Sequence, residues 1–154
     1  MFSTKKIEES IGLKIAFYLQ ILFVGGDMQV NKYMTKTPSF VSKDEKVLNA
    51  KKMMYQLGCT HLPVLEAGNV VGVISERDIL YLFQIESEDI ENLTVEEAMT
   101  EDFYAANVDD DITSVSRYMA DNRIGSAIIL DHNNKLAGIY TYTDALKAIV
   151  DIAA

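Results

Sequence analysis

The sequence predicts a mixed α/β (α+β) fold of two pseudo-twofold-related βαββα repeats that pack through their sheets, with an extra N-terminal helix. Three observations lead to this prediction. The stretch from Val30 matches the stretch from Val95 at a constant offset of 65 residues. In each copy, apolar residues first recur at helical spacing, and two short apolar runs follow. Finally, the pattern Gly-x-x-Ser/Thr-x-x-Asp occurs in both copies, as Gly72–Asp78 and as Gly138–Asp144.

The length of 154 residues allows one compact domain or two small halves packed together. A unit of about sixty residues with a small sheet and two helices exposes too much apolar surface to stand alone. The two repeats are therefore expected to face each other, with clefts where their equivalent junctions meet. The predicted division is an N-terminal extension (1–27), a first repeat (28–86), a linker (87–94) and a second repeat (95–154).

The N-terminal extension has the pattern of an amphipathic helix. Apolar residues recur in it at helical spacing, namely Ile7, Ile11, Ile15, Tyr18 and Leu22. Lys14 and Gln20 interrupt its apolar stretch, which is shorter than the roughly 20 residues of a membrane-spanning helix. We expect this helix to pack on the body of the protein or on a second copy.

In the first repeat, the sequence "SKDE" at 42–45 has the Ser-x-x-Glu form of a capping box and predicts a helix start. The helix that follows ends at Gly58. Two apolar runs, "HLPVL" and "VVGVIS", flank "EAGN" and predict a β-hairpin, and a second helix is predicted from Ser75 through Leu82. The predicted apolar face of the first helix consists of Val47, Leu48, Met53, Met54 and Leu57.

The second repeat has the same order of patterns. A short helix is predicted from Thr94 to Met99, after a polar and acidic linker. The stretch "DDDITSVSRYMADN" predicts the first long helix, whose start is capped by the Asp109–Asp111 run. The runs "SAIIL" and "LAGIYT" predict a hairpin around "DHNNK", and a closing helix extends to about Val150.

Charge and composition exclude several function classes. The net charge of −9 argues against a nucleic-acid or anionic-membrane partner, because such partners are held by Lys and Arg. The single cysteine, Cys59, cannot form an internal disulfide, as is typical of a reducing cytosol. Cys59 and His61 are the only close pair of soft metal ligands, so no zinc site is predicted.

An enzymatic function is not predicted either. Two histidines and one cysteine offer few nucleophiles or bases, and no Ser-His-Asp set, Gly-rich phosphate loop or metal-ligand pair has a working spacing. No catalytic residue and no metal ligand are therefore assigned.

The doubled Ser/Thr-x-x-Asp pattern allows two interpretations that are compatible. It is a capping-box pattern, which would serve only to start a helix. A helix N-terminus also presents free backbone N–H groups that suit a phosphate, and an Asp beside it can accept from the vicinal hydroxyls of a ribose. Identical placement in both halves is harder to explain by capping alone.

These residues resemble a known family. The motif Gly-h-h-Ser/Thr-x-x-Asp (h, apolar), which closes a helix–strand–strand unit, occurs twice here, and "MT" precedes each unit. With the apolar "HLPV" strand, this arrangement resembles a tandem pair of CBS domains, the Bateman module. The resemblance covers about Met28 to Ile152. Ile128 stands where the first copy has Pro63, a change that the family tolerates.

The resemblance implies a non-catalytic regulatory module that binds an adenosyl nucleotide between the repeats. AMP, ADP, ATP and S-adenosylmethionine are the implied ligands, and no cofactor is obligatory. Asp144 with Thr141 and Thr143 is the better-matched site, and Asp78 with Ser75 and Arg77 is the other. The Asp would bond the ribose hydroxyls, and the Ser or Thr would contact phosphate or ribose. The remaining implied ligand-binding residues are Ile139, Tyr104, Ala105, Ser126, Val73, Val41 and His61.

One departure from the family pattern concerns charge. The second motif has no Arg or Lys between Thr141 and Asp144. AMP, or an adenosyl ligand with little negative charge, is therefore as well suited as ATP.

The implied partners are an adenosyl nucleotide, a second copy of the chain in a homodimer, and an unidentified regulated protein in the cytoplasm. The alternative is a ligand-free dimerisation or interaction scaffold. Its candidate surface residues are Tyr55, Tyr81, Leu82, Phe83 and Tyr118. Ligand-dependent stability distinguishes the two functions.

Overall fold

The computed structural model describes residues 28–85 and 90–153. The first copy contains α1 (Val30–Tyr33), β1 (Thr35–Lys36), β2 (Val41–Ser42), α2 (Val47–Leu57), β3 (His61–Glu66), β4 (Asn69–Ser75) and α3 (Glu76–Ile85). The second contains α4 (Val95–Ala98), β5 (Ala105–Asn107), α5 (Ile112–Asp121), β6 (Ser126–Leu130), β7 (Leu136–Thr141) and α6 (Tyr142–Ala153). From β2 to α3 and from β5 to α6 the order is βαββα, so the predicted fold class is confirmed. The predicted N-terminal helix lies outside the described residues.

Within residues 28–85 and 90–153, the strands form two sheets, and each sheet pairs at one edge with a segment of the other copy. One sheet has the order β2-β3-β4 and the other has the order β1-β7-β6-β5. The strand β1 of the first copy pairs antiparallel with β7 of the second, with Thr35 opposite Ile139. In return, Thr100 exchanges two backbone hydrogen bonds with Val73 of β4, at 2.8 and 3.0 Å. Each copy therefore begins by extending the sheet of the other.

The short helices α1 and α4 make the same exchange in the two hydrophobic cores. Val30 of α1 is fully buried in the core of the second copy, and its N–H donates to the carbonyl oxygen of Asp110 at 2.8 Å. Val95 of α4 is fully buried in the core of the first copy, and its N–H donates to the carbonyl oxygen of Glu45 at 2.8 Å. Each half thus takes a buried side chain from the other.

A third apolar cluster joins the two sheets face to face. Its buried members are Val73 of β4, Ile128 of β6 and Ile139 of β7. Partly buried side chains surround them, namely Val70, Phe103, Leu130 and Leu136. Because this cluster draws on strands of both sheets, the repeats pack through their sheets as predicted.

Two local predictions about α2 are wrong. The helix begins at Val47 rather than at the "SKDE" box, and its N-cap, Lys46, makes no side-chain cap. Ser42 instead pairs in β2, and its carbonyl oxygen accepts from the N–H of Glu45 at 3.1 Å, so the segment forms a turn between strand and helix. Leu57 was predicted on the apolar face but is 52% exposed, because it lies in the last turn beyond the core contacts of Met54.

The glycine of each motif allows the edge exchange. A Cβ on Gly138 would lie 3.0 Å from the carbonyl oxygen of Thr35, and one on Gly72 would lie 3.0 Å from that of Thr100. Backbone oxygens cannot give way as a flexible side chain can. Glycine therefore fits best where the backbone of the other copy packs against the strand.

Candidate functional site

Both motifs lie where a strand ends and a helix begins. The backbone N–H and the hydroxyl of Ser75 donate to Oδ2 of Asp78 at 3.0 and 2.5 Å. The equivalent groups of Thr141 donate to Oδ2 of Asp144 at 3.0 and 2.8 Å. Both aspartates therefore cap a helix start, as the capping interpretation predicts. Asp144 is only 4% exposed, and its Oδ1 contacts Nζ of Lys147 at 3.5 Å.

The Asp144 motif opens into a cleft of about 440 Å³ that we call the Asp144 cleft. The second copy contributes the end of β7 and the start of α6, and the first copy contributes the β1–β2 segment and the end of α2. The lining residues are Thr35, Thr37, Pro38, Ser39, Leu57, Gly58, Cys59, Thr60, His61, Leu62, Ile139, Thr141, Thr143, Asp144 and Lys147.

The Asp78 motif opens into a second cleft of about 170 Å³, which we call the Asp78 cleft. Here the roles of the copies are reversed, since the first copy contributes the motif and the second contributes the segments before β5 and β6. The lining residues are His61, Val73, Ser75, Arg77, Asp78, Thr100, Asp102, Phe103, Tyr104, Arg123, Ile124, Gly125 and Ser126.

Equivalent sequence positions line the two clefts. Ile139, Thr141 and Asp144 in one cleft correspond to Val73, Ser75 and Asp78 in the other, at an offset of 66 residues, because the second copy has one extra residue in its hairpin turn. Thr35 corresponds to Thr100 at the offset of 65. The clefts are therefore related by the internal repeat, and each is complete only when both copies are folded.

Most sequence-predicted site residues lie in these clefts. The structure brings Thr141, Thr143, Asp144, Ile139 and His61 together in the Asp144 cleft. It brings a further set together in the Asp78 cleft, namely Ser75, Arg77, Asp78, Val73, Tyr104 and Ser126, again with His61.

Val41 and Ala105 do not line either cleft. Val41 is 3% exposed and belongs to the core of the first copy, so its side chain faces away from both clefts. Ala105 is exposed in β5, next to the cleft residue Tyr104, because successive side chains of an extended chain point to opposite sides. The cleft position that corresponds to Tyr104 is Ser39, two residues before Val41.

His61 is the side chain that the two clefts share. It opens β3 opposite Ser75, and Thr60 Oγ1 lies 3.0 Å from its Nδ1. A Cβ on Gly125 would lie 2.8 Å from its Nε2, so the missing side chain at this position lets the ring reach the other copy. Burial lowers the pKa of His61, as does Arg77, while Asp78 opposes the shift. The ring is thus neutral at neutral pH.

Acidification is expected to destabilise the wild-type protein more than its His61→Gln variant. The folded-state pKa of His61 lies below the unfolded value of about 6.5. The stability that neutral His61 contributes is therefore present above that value, and it is lost as the pH falls through the folded-state pKa. Denaturant midpoints at about pH 7.5 and about pH 5.5 measure the difference. The exposed His132→Gln variant is the matched control, and an equal acid loss in His61→Gln and wild type would contradict the prediction.

Sequence reasoning missed several cleft residues of the β1–β2 segment and of its counterpart, namely Thr35, Thr37, Pro38 and Ser39 in the first copy and Thr100, Asp102 and Phe103 in the second. Thr35 and Thr100 belong to the repeated "MT" pair, which was recognised but not given a role. Thr37 has a positive φ of 48°, an uncommon conformation for a β-branched residue, and lies in the Asp144 cleft. Only the edge exchange of β1, which depends on contacts distant in sequence, brings these residues to the clefts.

Two further titratable side chains in the clefts are held neutral. Burial raises the pKa of the Cys59 thiol in the Asp144 cleft. Burial also raises the pKa of Tyr104 in the Asp78 cleft, whose ring stacks on Tyr118 with centroids 4.1 Å apart. Each side chain therefore lines its cleft as a polar but uncharged group at neutral pH.

In the part of the chain that the structure describes, no group of three or more His, Cys, Asp or Glu side chains could hold a metal ion. Among the helices of that same part, none combines the length and the apolar character needed to cross a membrane.

Known families and sequences match most of the chain. The family model described as CBS domain matches residues 30–84 and 95–151. An uncharacterized protein of Methanocaldococcus jannaschii is 32% identical over 126 residues, which is 80% of this chain and 38% of that protein. Inosine-5′-monophosphate dehydrogenase of Streptococcus pyogenes is 26% identical over 73% of this chain and 22% of the enzyme. The chain spans less than half the length of the first curated relatives it matches.

Solved structures share the fold. The CBS domain pair of a protein in complex with 5′-methylthioadenosine and S-adenosyl-L-methionine superposes with a TM-score of 0.73, covering 80% of this chain and 96% of that chain at 23% identity. The protein CBSX2, in complex with AMP, superposes with a TM-score of 0.72, covering 82% of this chain and 98% of that chain at 22% identity.

Proposed function

This chain belongs to the CBS-domain family, and from that premise we propose that it is a non-catalytic regulatory module that binds an adenosyl ligand between its two repeats. The observation that carries the proposal is the pair of repeat-related clefts, each with a buried or partly buried aspartate beside a helix N-terminus. Capping alone requires no cleft, whereas both motifs open into one.

The proposed residue roles follow from the chemistry of each group. The capping bonds of Asp144 and Asp78 go to Oδ2, and a second carboxylate oxygen can accept from the two hydroxyls of a ribose. The N-terminal turns of α3 and α6 present backbone N–H groups to a phosphate. Ile139 and Val73 provide apolar contact for adenine in the respective clefts.

The ligands bound by structurally similar proteins support the adenosyl class. One CBS domain pair was solved with 5′-methylthioadenosine and S-adenosyl-L-methionine, and CBSX2 was solved with AMP. We extend this class to AMP, ADP, ATP and S-adenosylmethionine as regulatory ligands of this chain, with no obligatory cofactor.

The proposed mechanism is a shift between orientations of the two copies. A ligand in either cleft contacts both copies, so it favours the orientation in which both sets of residues reach it. The affected surface would then bind a regulated protein in the cytoplasm, or a second copy of this chain. Exposed apolar side chains suit such a surface, for example Tyr81 at 61% and Leu146 at 63% exposure on α3 and α6.

A ligand-free scaffold is the second candidate function, because of those exposed side chains. Of its predicted surface residues, Tyr55, Tyr81 and Tyr118 are exposed, whereas Leu82 and Phe83 pack against the core of the first copy. A scaffold predicts stability that depends on protein concentration and not on nucleotides.

Thermal unfolding distinguishes these functions directly. At a free ligand concentration of about 100 times Kd, a ligand of the native state stabilises it by about 2.7 kcal/mol. For a chain of this size that raises Tm by about 5 to 11 °C. AMP, ADP, ATP, S-adenosylmethionine and adenosine are compared, with GMP and inorganic phosphate as controls. A Tm unchanged by every adenosyl ligand, but rising with protein concentration, would favour the scaffold.

A further inference from the structure

We propose that the two clefts select different adenosyl ligands: the Asp78 cleft takes a phosphorylated adenosine such as AMP, and the Asp144 cleft takes an adenosyl ligand without a phosphate. This inference rests on the proposed function and assigns a ligand class to each of its sites. It depends on four positions at which the linings differ in charge or size, namely Arg77, Asp102, Tyr104 and Arg123 of the Asp78 cleft against Thr143, Thr37, Ser39 and Gly58 of the Asp144 cleft.

The first difference is the number of guanidinium groups. Arg77 and Arg123 line the Asp78 cleft, one from each copy. Their counterparts in the Asp144 cleft are Thr143 and Gly58, which carry no charge. A guanidinium stays charged at all relevant pH values and presents a fork of N–H donors that matches phosphate oxygens. A phosphate in the Asp78 cleft can therefore receive donors from both copies.

The acidic residues do not cancel this difference. Asp102 lines the Asp78 cleft where Thr37 lines the other, so it offsets one positive charge. A carboxylate has no N–H to donate, however, and cannot remove the hydrogen bonds of the two arginines. The cation of the Asp144 cleft is Lys147, whose side chain is 68% exposed and lies 3.5 Å from Asp144. It is a single ammonium group with an anionic neighbour, whereas the Asp78 cleft has two guanidinium groups, which are exposed as well.

The second observation is that an arginine occupies position 123 although the backbone there has a conformation that favours glycine. Arg123 has a φ of +56°, and its counterpart Gly58 has a φ of +64°. The turns are the same, since Cys59 N–H donates to Met54 O at 3.0 Å and Ile124 N–H donates to Met119 O at 2.9 Å. Glycine would thus fit position 123 with less strain, yet an arginine occupies it beside the cleft.

The other difference is the room available. The Asp144 cleft has Ser39 where the Asp78 cleft has the stacked Tyr104, and Gly58 where the latter has Arg123. Their cavity volumes are about 440 and about 170 Å³. In the Asp144 cleft, the smaller side chains leave space for a larger uncharged or cationic substituent on the ribose. In the Asp78 cleft, Tyr104 and Arg123 occupy that space.

The test exchanges the arginines for their counterparts. Calorimetric titrations with adenosine and with AMP, which differ only by the phosphate, are made on the full chain as wild type and as the Arg77→Thr/Arg123→Gly variant. In the wild type, we expect one site to prefer AMP over adenosine by about 10-fold or more. The double variant should lose that preference and keep the adenosine affinity of the other site. Arg117→Thr/Lys52→Thr, which removes two exposed positive charges outside both clefts, is the matched control for net charge.

Single variants assign the sites and check the fold. Asp78→Ala should remove the AMP-preferring site, and Asp144→Ala should remove the other. Arg123→Gly alone should leave Tm unchanged or raise it, because it relieves the positive φ. An AMP preference that survives the double variant, or that disappears in Asp144→Ala instead, overturns the inference but leaves the adenosyl function standing. Binding of neither adenosine nor AMP at millimolar concentration refutes the proposed function, and the inference with it.

Discussion

Replacing Asp144 by alanine is expected to abolish the ligand-induced stabilisation that arises in the Asp144 cleft. Asp144 is 4% exposed and its carboxylate is held in place by Thr141, so its position is fixed before any ligand arrives. Alanine offers no oxygen to a ribose at this position. We therefore expect a Tm shift of several degrees with S-adenosylmethionine or adenosine in the wild type, and none from this cleft in the variant.

The same substitution also removes a helix cap, and the two effects must be separated. Loss of a cap costs about 1 kcal/mol, and it lowers the Tm of the free protein. Asp111→Ala is the matched control, because Asp111 caps α5 by accepting from the N–H of Ser114 at 3.0 Å and lies in neither cleft. Asp111→Ala should lower the starting Tm by a similar amount and keep the full ligand shift. A retained shift in Asp144→Ala would refute the role given to this residue.

The internal repeat made most of the fold predictable from sequence. The same pattern of strands and helices occurs twice at a near-constant offset, which shows which elements of the two copies correspond. Because neither copy is large enough to bury its apolar surface alone, the two must share an apolar interface. The hairpins were predictable because "SAIIL" and "VVGVIS" are apolar runs bounded by turn residues, which marks them as buried strands.

The exchange of edges between the copies could not be predicted in this way. A strand of two residues such as β1 (Thr35–Lys36) has no periodic pattern of its own. Its pairing with β7 depends on backbone contacts about a hundred residues apart in sequence, and local propensity carries no information about these. The "SKDE" prediction failed for the same reason, since pairing of Val41 and Ser42 with β3 overrides a local capping pattern.

Sequence could predict the site residues that belong to the repeated motif. It could not predict those that reach a cleft only because the start of each copy pairs with the sheet of the other. Asp144 and Asp78 are named by the motif itself. Thr37 and Ser39 lie in the β1–β2 segment, which only the folded arrangement brings to a cleft. Val41 is predicted to line the site because it lies at the start of the first strand. The alternation of side chains along that strand instead places Val41 in the core of the first copy.

Replacing Ile128 by alanine is expected to lower both the stability of the protein and its ligand affinity in both clefts. Ile128 is fully buried between the sheets, in contact with the cluster that contains Val73 and Ile139. Truncating such a side chain costs about 2 to 5 kcal/mol, or about 4 to 20 °C in Tm for a chain of this size. Val73 lines the Asp78 cleft and Ile139 lines the Asp144 cleft, so a cavity behind them should loosen both walls.

The neighbouring residue supplies a control of the same type and burial. Ile129 is also fully buried in β6, but its side chain points to the opposite face, into the core of the second copy. Ile129→Ala should therefore lose a similar amount of stability while ligand affinity, measured by calorimetry below the lower Tm, stays near the wild-type value. Because the two variants differ only in which face of one strand is emptied, the contrast isolates the packing between the sheets. Equal affinities in both variants would show that the clefts do not depend on that packing, and the proposed coupling between ligand and repeat orientation would then fail.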